Sequence, residues 1–163
     1  MARCPWATFG KLKHRCPNIV TSLELDPAEM EKRNIHLQQK YAEIEEKEVR
    51  YEEIHCDDAE YLIVAFGSCA RIAQKAMEEA RAEGIKVGLL RPITLWPFPS
   101  KAIAERSRQV KGILTVELNA GQMVEDVRLA VECKVPVEYF GRLGGIVPDP
   151  DEVVTALKEK IIK

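Results

Sequence analysis

Gly88-Leu89-Leu90-Arg91-Pro92-Ile93-Thr94-Leu95-Trp96-Pro97-Phe98-Pro99-Ser100 opens as a buried strand and closes as a stiff apolar loop. Val87, Leu89 and Leu90 make a short apolar run without helical period, which predicts a strand. Pro92 has no N–H and biases Arg91 towards extended geometry, so the strand is expected to stop there. Pro97 and Pro99 hold the following chain stiff while Leu95, Trp96 and Phe98 offer a large apolar area in few residues. Ser100 is placed to cap a helix. A rigid loop leaving the carboxyl end of a parallel strand lies at the edge where α/β proteins place sites and interfaces. The same residues also serve simply as a packed connection between strand and helix.

Outward from this stretch, strands and helices alternate. On its amino-terminal side, Tyr61 to Phe66 is a fully apolar run suited to a central parallel strand. Gly67-Ser68 then starts a helix whose inner side is Ile72, Ala73, Ala76, Met77 and Ala80, and Gly84 ends it. On the other side, a helix is predicted from Ser100 to about Val110, a strand over Ile113 to Leu118, and a helix carrying Met123, Val124, Val127, Ala130 and Val131. Val135 to Phe140 reads as the last strand. Asp149-Pro150-Asp151-Glu152 is a capping pattern before a closing helix with Val153, Val154, Leu157 and Ile161 facing inwards. Such alternation predicts a parallel sheet covered on both faces. Before it, Val49 to Ile54 is strand-like but charged, which suits a protected edge. Asp26-Pro27-Ala28-Glu29 starts a helix whose Met30, Leu37, Tyr41 and Ile44 make one stripe through about Lys47, needing either its own domain or a partner to pack on. Residues 1–25 are broken by Pro5, Gly10 and Pro17, with Trp6 and Phe9 as the only large anchors of an irregular arm. The expected division is therefore an irregular arm or linker over 1–25, a long amphipathic helix over 26–48, and an α/β domain over 49–163.

The totals limit the function. Lys and Arg number 24 against 26 Asp and Glu, a formal charge of −2, which gives no electrostatic case for nucleic acid or an anionic membrane. No run is apolar and long enough to span a bilayer, so cytoplasm is the default expectation. The five cysteines are scattered and odd in number, which is no disulfide framework, and no Cys-x-x-Cys offers a cluster ligand set. Cys4, His14 and Cys16 lack a fourth ligand for zinc.

The words LRPITLWPFP (90–99), VAFGSCARIAQKAMEEARAEGIKVG (64–88) and VELNAGQMVEDVRLAV (116–131), in this order, resemble the 2-oxoacid:ferredoxin oxidoreductases. The similarity is to the subunit carrying the pyrimidine domain, in its transketolase-C-terminal-like second domain, and is nearest to the 2-oxoisovalerate and 2-oxoglutarate types. It runs from about Pro17 to the end and corresponds to roughly the C-terminal half of that subunit, whose thiamine-type domain stands ahead of this point. The resemblance implies a three-layer α/β/α fold with a five-stranded, mostly parallel sheet in the order 1-3-2-4-5 and strand 1 antiparallel. For the intact complex it implies oxidative decarboxylation of a 2-oxoacid to an acyl-coenzyme A, with electrons passing to ferredoxin. Thiamine diphosphate, magnesium and iron–sulfur clusters are then held by the missing domain or by companion subunits, none by this chain. Its own task is to be an assembly scaffold for those companions, with self-association a further expectation.

In that strand order Tyr61–Phe66 and Ile113–Leu118 are neighbours from which the connections diverge, the place where open α/β sheets bind ligands. Candidate ligand or interface residues follow. Gly67 and Ser68 stand at a helix start with N–H groups to offer, where Cys69 has the setting for a lowered thiol pKa. Asn119 and Gln122 have the spacing of a capping box, and Gly121 permits close approach by a ligand or another chain. Arg142, at the end of the last strand, is placed for an ion pair with Glu117. No histidine has a paired nucleophile or carboxylate at a telling spacing, so no catalytic residue is assigned. Two further readings compete: a free-standing small-ligand or nucleotide-binding module using this crevice, and a redox-sensing domain acting through Cys69.

Overall fold

Five strands form one sheet in the order β1-β3-β2-β4-β5 in a computed structural model of the chain. The strands are β1 (Tyr51–Ile54), β2 (Tyr61–Ala65), β3 (Val87–Pro92), β4 (Ile113–Glu117) and β5 (Val137–Gly141). The helices are α1 (Pro27–Lys47), α2 (Gly67–Ala82), α3 (Ser100–Arg106), α4 (Met123–Val131) and α5 (Pro150–Leu157), the last running into a π-helical stretch, Lys158–Ile162. The structure describes residues 13, 14, 16 and 22–162. Trp6, Phe9 and Cys4, on which the arm and zinc readings rest, lie outside the described residues. The chain divides into two compact units, residues 1–39 and 40–163, and the division falls inside α1.

β1 runs antiparallel to β3, whereas β2–β3, β2–β4 and β4–β5 are all parallel. Successive side chains of a strand point to opposite faces, and here both faces are dry. Ile63, Ala65, Leu89, Leu114 and Val116 pack with α2 and α5, through residues such as Ala73, Met77 and Leu157. Leu62, Val64, Leu90 and Ile113 pack with Ile103 of α3 and with Met123, Val127 and Val131 of α4. That two-sided burial is why the strands read as unbroken apolar runs.

The edge strand is handled by charge. Glu52 pairs with Arg91 at 2.9 Å and Glu53 with Arg106 at 2.5 Å. The Arg106 guanidinium also reaches Asp57 at 3.0 Å and the Cys56 carbonyl at 3.4 Å. One side chain of α3 thus fastens β1 and the turn after it.

Element ends differ from expectation where caps compete. α2 ends at Ala82, and Gly84 takes φ +88° with its N–H on the Arg81 carbonyl, as a C-terminal glycine should. Ser100 lies inside α3 and does not cap it; Pro99 holds the N-cap position without a side-chain bond. α3 stops at Arg106, short of Val110, because a turn carries the chain round so that Gln109 can donate to the Cys56 carbonyl at 2.6 Å. Asp26 caps α1 through the N–H groups of Ala28 and Glu29. Glu29, which the sequence places to reach back and complete a capping box with Asp26, instead accepts from Lys32 at 2.6 Å, so only the Asp26 half of that box forms. α5 has the full reciprocal box of Asp149 and Glu152. No residue of α1 is buried.

Candidate functional site

β2 and β4 lie side by side, with Ala65 opposite Val116, so the loops opening α2 and α4 leave neighbouring strands at one edge. The crevice expected between Gly67-Ser68 and Asn119–Gln122 therefore has the right topology. Its chemistry is different.

Glu117, the last residue of β4, has no exposed surface. Its carboxylate accepts the N–H groups of Gln122 at 3.2 Å, Met123 at 2.7 Å and Val124 at 3.0 Å. A buried carboxylate is tolerated when hydrogen bonds and opposite charge replace its water. The first turn of α4 supplies both, since its N–H groups are otherwise orphaned and carry the positive end of the helix dipole. Gln122 occupies the N-cap position but its side chain caps nothing, so the box expected from Asn119 and Gln122 does not form. Asn119 instead turns the chain, its Oδ1 accepting the Gly121 N–H at 2.7 Å. Its carbonyl accepts the Tyr139 hydroxyl.

Gly121 sits at φ +96°, and a Cβ there would lie 3.2 Å from Val124 Cγ1 and 3.6 Å from the Tyr139 ring. The close approach that needs this glycine comes from within the chain. Arg142 does not pair with Glu117 through its side chain. Its guanidinium joins Glu152 at the start of α5, while its backbone N–H meets the Glu117 carbonyl at 3.3 Å. Glu152 also accepts the Asp149 N–H at 3.2 Å, so Arg142 clips the loop after β5 onto the capping box. Arg142 holds the Glu152 carboxyl below its ordinary range.

Gly67 and Ser68 are exposed, with Gly67 at φ +56°. Phe66 is the N-cap of α2 and no side chain caps this helix. Its open N-terminus faces a fixed negative charge: Glu117 lies close enough to help push the Cys69 thiol upwards, after burial as the larger cause. Burial and then Glu117 likewise raise Tyr139. A carboxylate locked beside the crevice repels phosphate, which weighs against a nucleotide module. A Cys69 thiol pushed upwards is the reverse of the lowered value that redox sensing needs. Sequence reasoning placed Glu117 at a strand end but missed its role. The signal was a lone acidic residue closing an apolar strand five or six positions before a helix.

No group of three or more His, Cys, Asp or Glu among the described residues is arranged to hold a metal ion. Both Glu117 oxygens are committed to backbone N–H groups. Glu117 is therefore not free to hold a magnesium ion or to activate a pyrimidine.

The same edge has a second property. Beyond α1, the exposed large apolar side chains among the described residues are Tyr51, Ile93, Leu95, Trp96, Leu118, Leu129, Leu143, Ile146 and Val147. All except Leu129 lie at or just beyond the carboxyl ends of the parallel strands; Tyr51 joins them because it pairs with Pro92, the end of β3. No helix among the described residues is long and apolar enough to cross a membrane.

Residues 59–153 match the family model described as pyruvate:ferredoxin oxidoreductase core domain II. Ketoisovalerate oxidoreductase subunit VorB of Methanothermobacter thermautotrophicus is 49% identical over 154 residues, covering 94% of this chain and 43% of that protein. The chain thus spans less than half the length of this relative. Among solved structures, a 2-oxoglutarate:ferredoxin oxidoreductase from Magnetococcus marinus, with 2-oxoglutarate, coenzyme A and succinyl-CoA bound, superposes with a TM-score of 0.72 at 25% identity, covering 83% of this chain and 24% of that one. A split-gene transketolase shares the fold, with a TM-score of 0.59 at 22% identity over 68% of this chain and 40% of its own.

Proposed function

The chain belongs to the pyruvate:ferredoxin oxidoreductase core domain II family, and from that premise we propose that it is the assembly domain of a 2-oxoacid:ferredoxin oxidoreductase subunit. The intact complex oxidatively decarboxylates a 2-oxoacid to an acyl-coenzyme A in the cytoplasm and passes electrons to ferredoxin. The name of the relative at 49% identity favours a branched 2-oxoacid. Thiamine diphosphate, magnesium and iron–sulfur clusters belong to companion domains and subunits. In this reading residues 1–25 are an irregular arm or linker, 26–48 a long amphipathic helix and 49–163 the transketolase-C-terminal-like domain.

The observation that carries this reading is the segregation of exposed apolar side chains to one sheet edge. Scattered apolar residues are ordinary on a protein surface, but a concentrated patch marks a surface that a partner covers. Leu118, Leu143, Ile146 and Val147 stand where a ligand site would otherwise be, around a carboxylate already consumed in capping.

The coding sequence around this chain identifies the rest of its subunit and its companions, which are then expressed separately and titrated against the chain. A stoichiometric complex is expected, weakened at least about tenfold by Leu143→Asp with Ile146→Asp, since two charges would enter an apolar contact. No complex with any of these polypeptides, or one indifferent to both substitutions, would overturn the reading.

A further inference from the structure

We propose that the groove between the carboxyl-terminal part of α1 and the Trp96–Pro99 loop is a docking site for an arginine-bearing segment of a partner polypeptide. Three aromatic side chains are exposed among the described residues, Tyr41, Tyr51 and Trp96, and all three gather here. Tyr51, Trp96 and Phe98 line the groove, whose volume is about 850 Å³. Tyr41 packs edge-on against Trp96, ring centroids 5.6 Å apart at 85°. This contact buttresses an indole that is nonetheless 56% exposed. Pro97 and Pro99 fix the loop that presents it.

The rim has a sign. Glu45, Glu46 and Glu105 line the groove, and none is ion-paired with another described residue, although Glu43 and Glu48 beside them are engaged by Lys47 and Arg50. Lys101 is the only basic side chain in the lining. Aromatic faces attract cations, tryptophan most strongly, and a planar guanidinium both stacks on the ring and offers donors to carboxylates. Three free carboxylates around exposed rings complement an arginine-bearing chain. They repel nucleic acid, anionic lipid and acidic peptides. A purely apolar partner would leave the glutamates desolvated without counter-charge. The assembly reading supplies the partner polypeptide for this site, which forms the β3 end of the apolar edge and is tested separately from the Leu143 and Ile146 end.

The probes are acetylated, amidated triarginine, trilysine and triglutamate, titrated into the full chain carrying Trp6→Phe, so that Trp96 is the only indole. Saturable quenching by triarginine is expected, with weaker binding of trilysine and none of triglutamate. Replacing Glu45, Glu46 and Glu105 together by glutamine should raise the Kd about tenfold, from three lost exposed charge pairs. Replacing Glu125, Glu132 and Glu159 by glutamine removes the same charge elsewhere and should leave the Kd unchanged. Melting curves of each variant confirm folding, which these exposed positions should not disturb. An equal effect from both triple variants would mean attraction to net charge alone and would overturn the proposal. So would triarginine binding that survives Trp96→Ala by calorimetry. Self-association abolished by Trp96→Ala but untouched by the groove glutamines would assign the groove to a second copy and refute a basic occupant. Failure of the subunit titration with triarginine binding intact would sink the assembly reading alone.

Discussion

The carboxylate of Glu117 accepts the backbone N–H of Met123 at 2.7 Å, six residues further along the chain. The last residue of one strand is therefore the cap of the helix that follows it. The bond ties β4 to α4, fixes the turn of Asn119 and Gly121 between them, and places a negative charge where the fold could otherwise hold an anion. Much of what this edge can and cannot do follows from it.

Glu117→Gln keeps the shape but loses charge-assisted bonds to three N–H groups. Bonds to charged groups contribute about 1.5–3 kcal/mol, so a loss of about 2 kcal/mol is expected, and more for Glu117→Ala. Urea unfolding measures it through the midpoint at unchanged slope. A substitution without effect would show that water or other groups satisfy α4 equally well.

Arg106→Met removes the tie from α3 to Glu53, Asp57 and the Cys56 carbonyl. A loss of about 1–2 kcal/mol is expected, since one bidentate, partly buried network is at stake. Hydrogen exchange should quicken in Tyr51–Ile54 and spare β4. Arg106→Lys should recover only part of the loss, because an ammonium cannot fork across both glutamate oxygens.

Alkaline pH should weaken the fold. Burial, with Glu53 next, pushes the Cys56 thiol from 9.0 up to about 11. The folded state thus holds this proton more tightly than the unfolded chain. Its contribution is whole below pH 9.0 and is lost as pH rises through about 11. Cys69 and Tyr139 are shifted the same way. Unfolding free energies should therefore fall over this window, less steeply in Cys56→Ala. At pH 8, Cys16 and Cys133, both exposed, should react promptly with a disulfide reagent while Cys56 and Cys69 resist. Prompt modification of Cys69 in the folded chain would revive the redox reading.

Thiamine diphosphate with magnesium should not stabilise this chain. A ligand at a hundredfold excess over its Kd adds about 2.7 kcal/mol, which would raise the melting temperature by about 5–10 °C for a domain of this size. No such shift is expected, and no ferredoxin or viologen reduction with any 2-oxoacid. Either result would show that the cofactor site lies partly here.

The sequence by itself determined the alternation of strands and helices, the double-sided burial of Tyr61–Ala65 and Ile113–Glu117, and the caps at Asp26, Gly84 and Asp149. These are local facts: apolar period, proline and glycine positions, and side chains reaching N–H groups two or three residues away. The strand order came from the resemblance, and the fold agrees with it. What the tertiary structure decided is the meaning of the edge. Asn119 and Gln122 have the spacing of a capping box, yet the positive φ of Gly121 turns the chain so that Glu117 arrives first, with a full charge and two oxygens. Arg142 had two carboxylates to choose from, and the path of the loop after β5 brings Glu152 within reach while Glu117 is already occupied. Ser68 and Cys69 bring N–H groups and a thiol to a helix start, and only the fold sets the carboxylate of a neighbouring strand close enough to act on them. Local pattern fixes which groups need partners; only the packing of strands distant in sequence decides which partner each one finds.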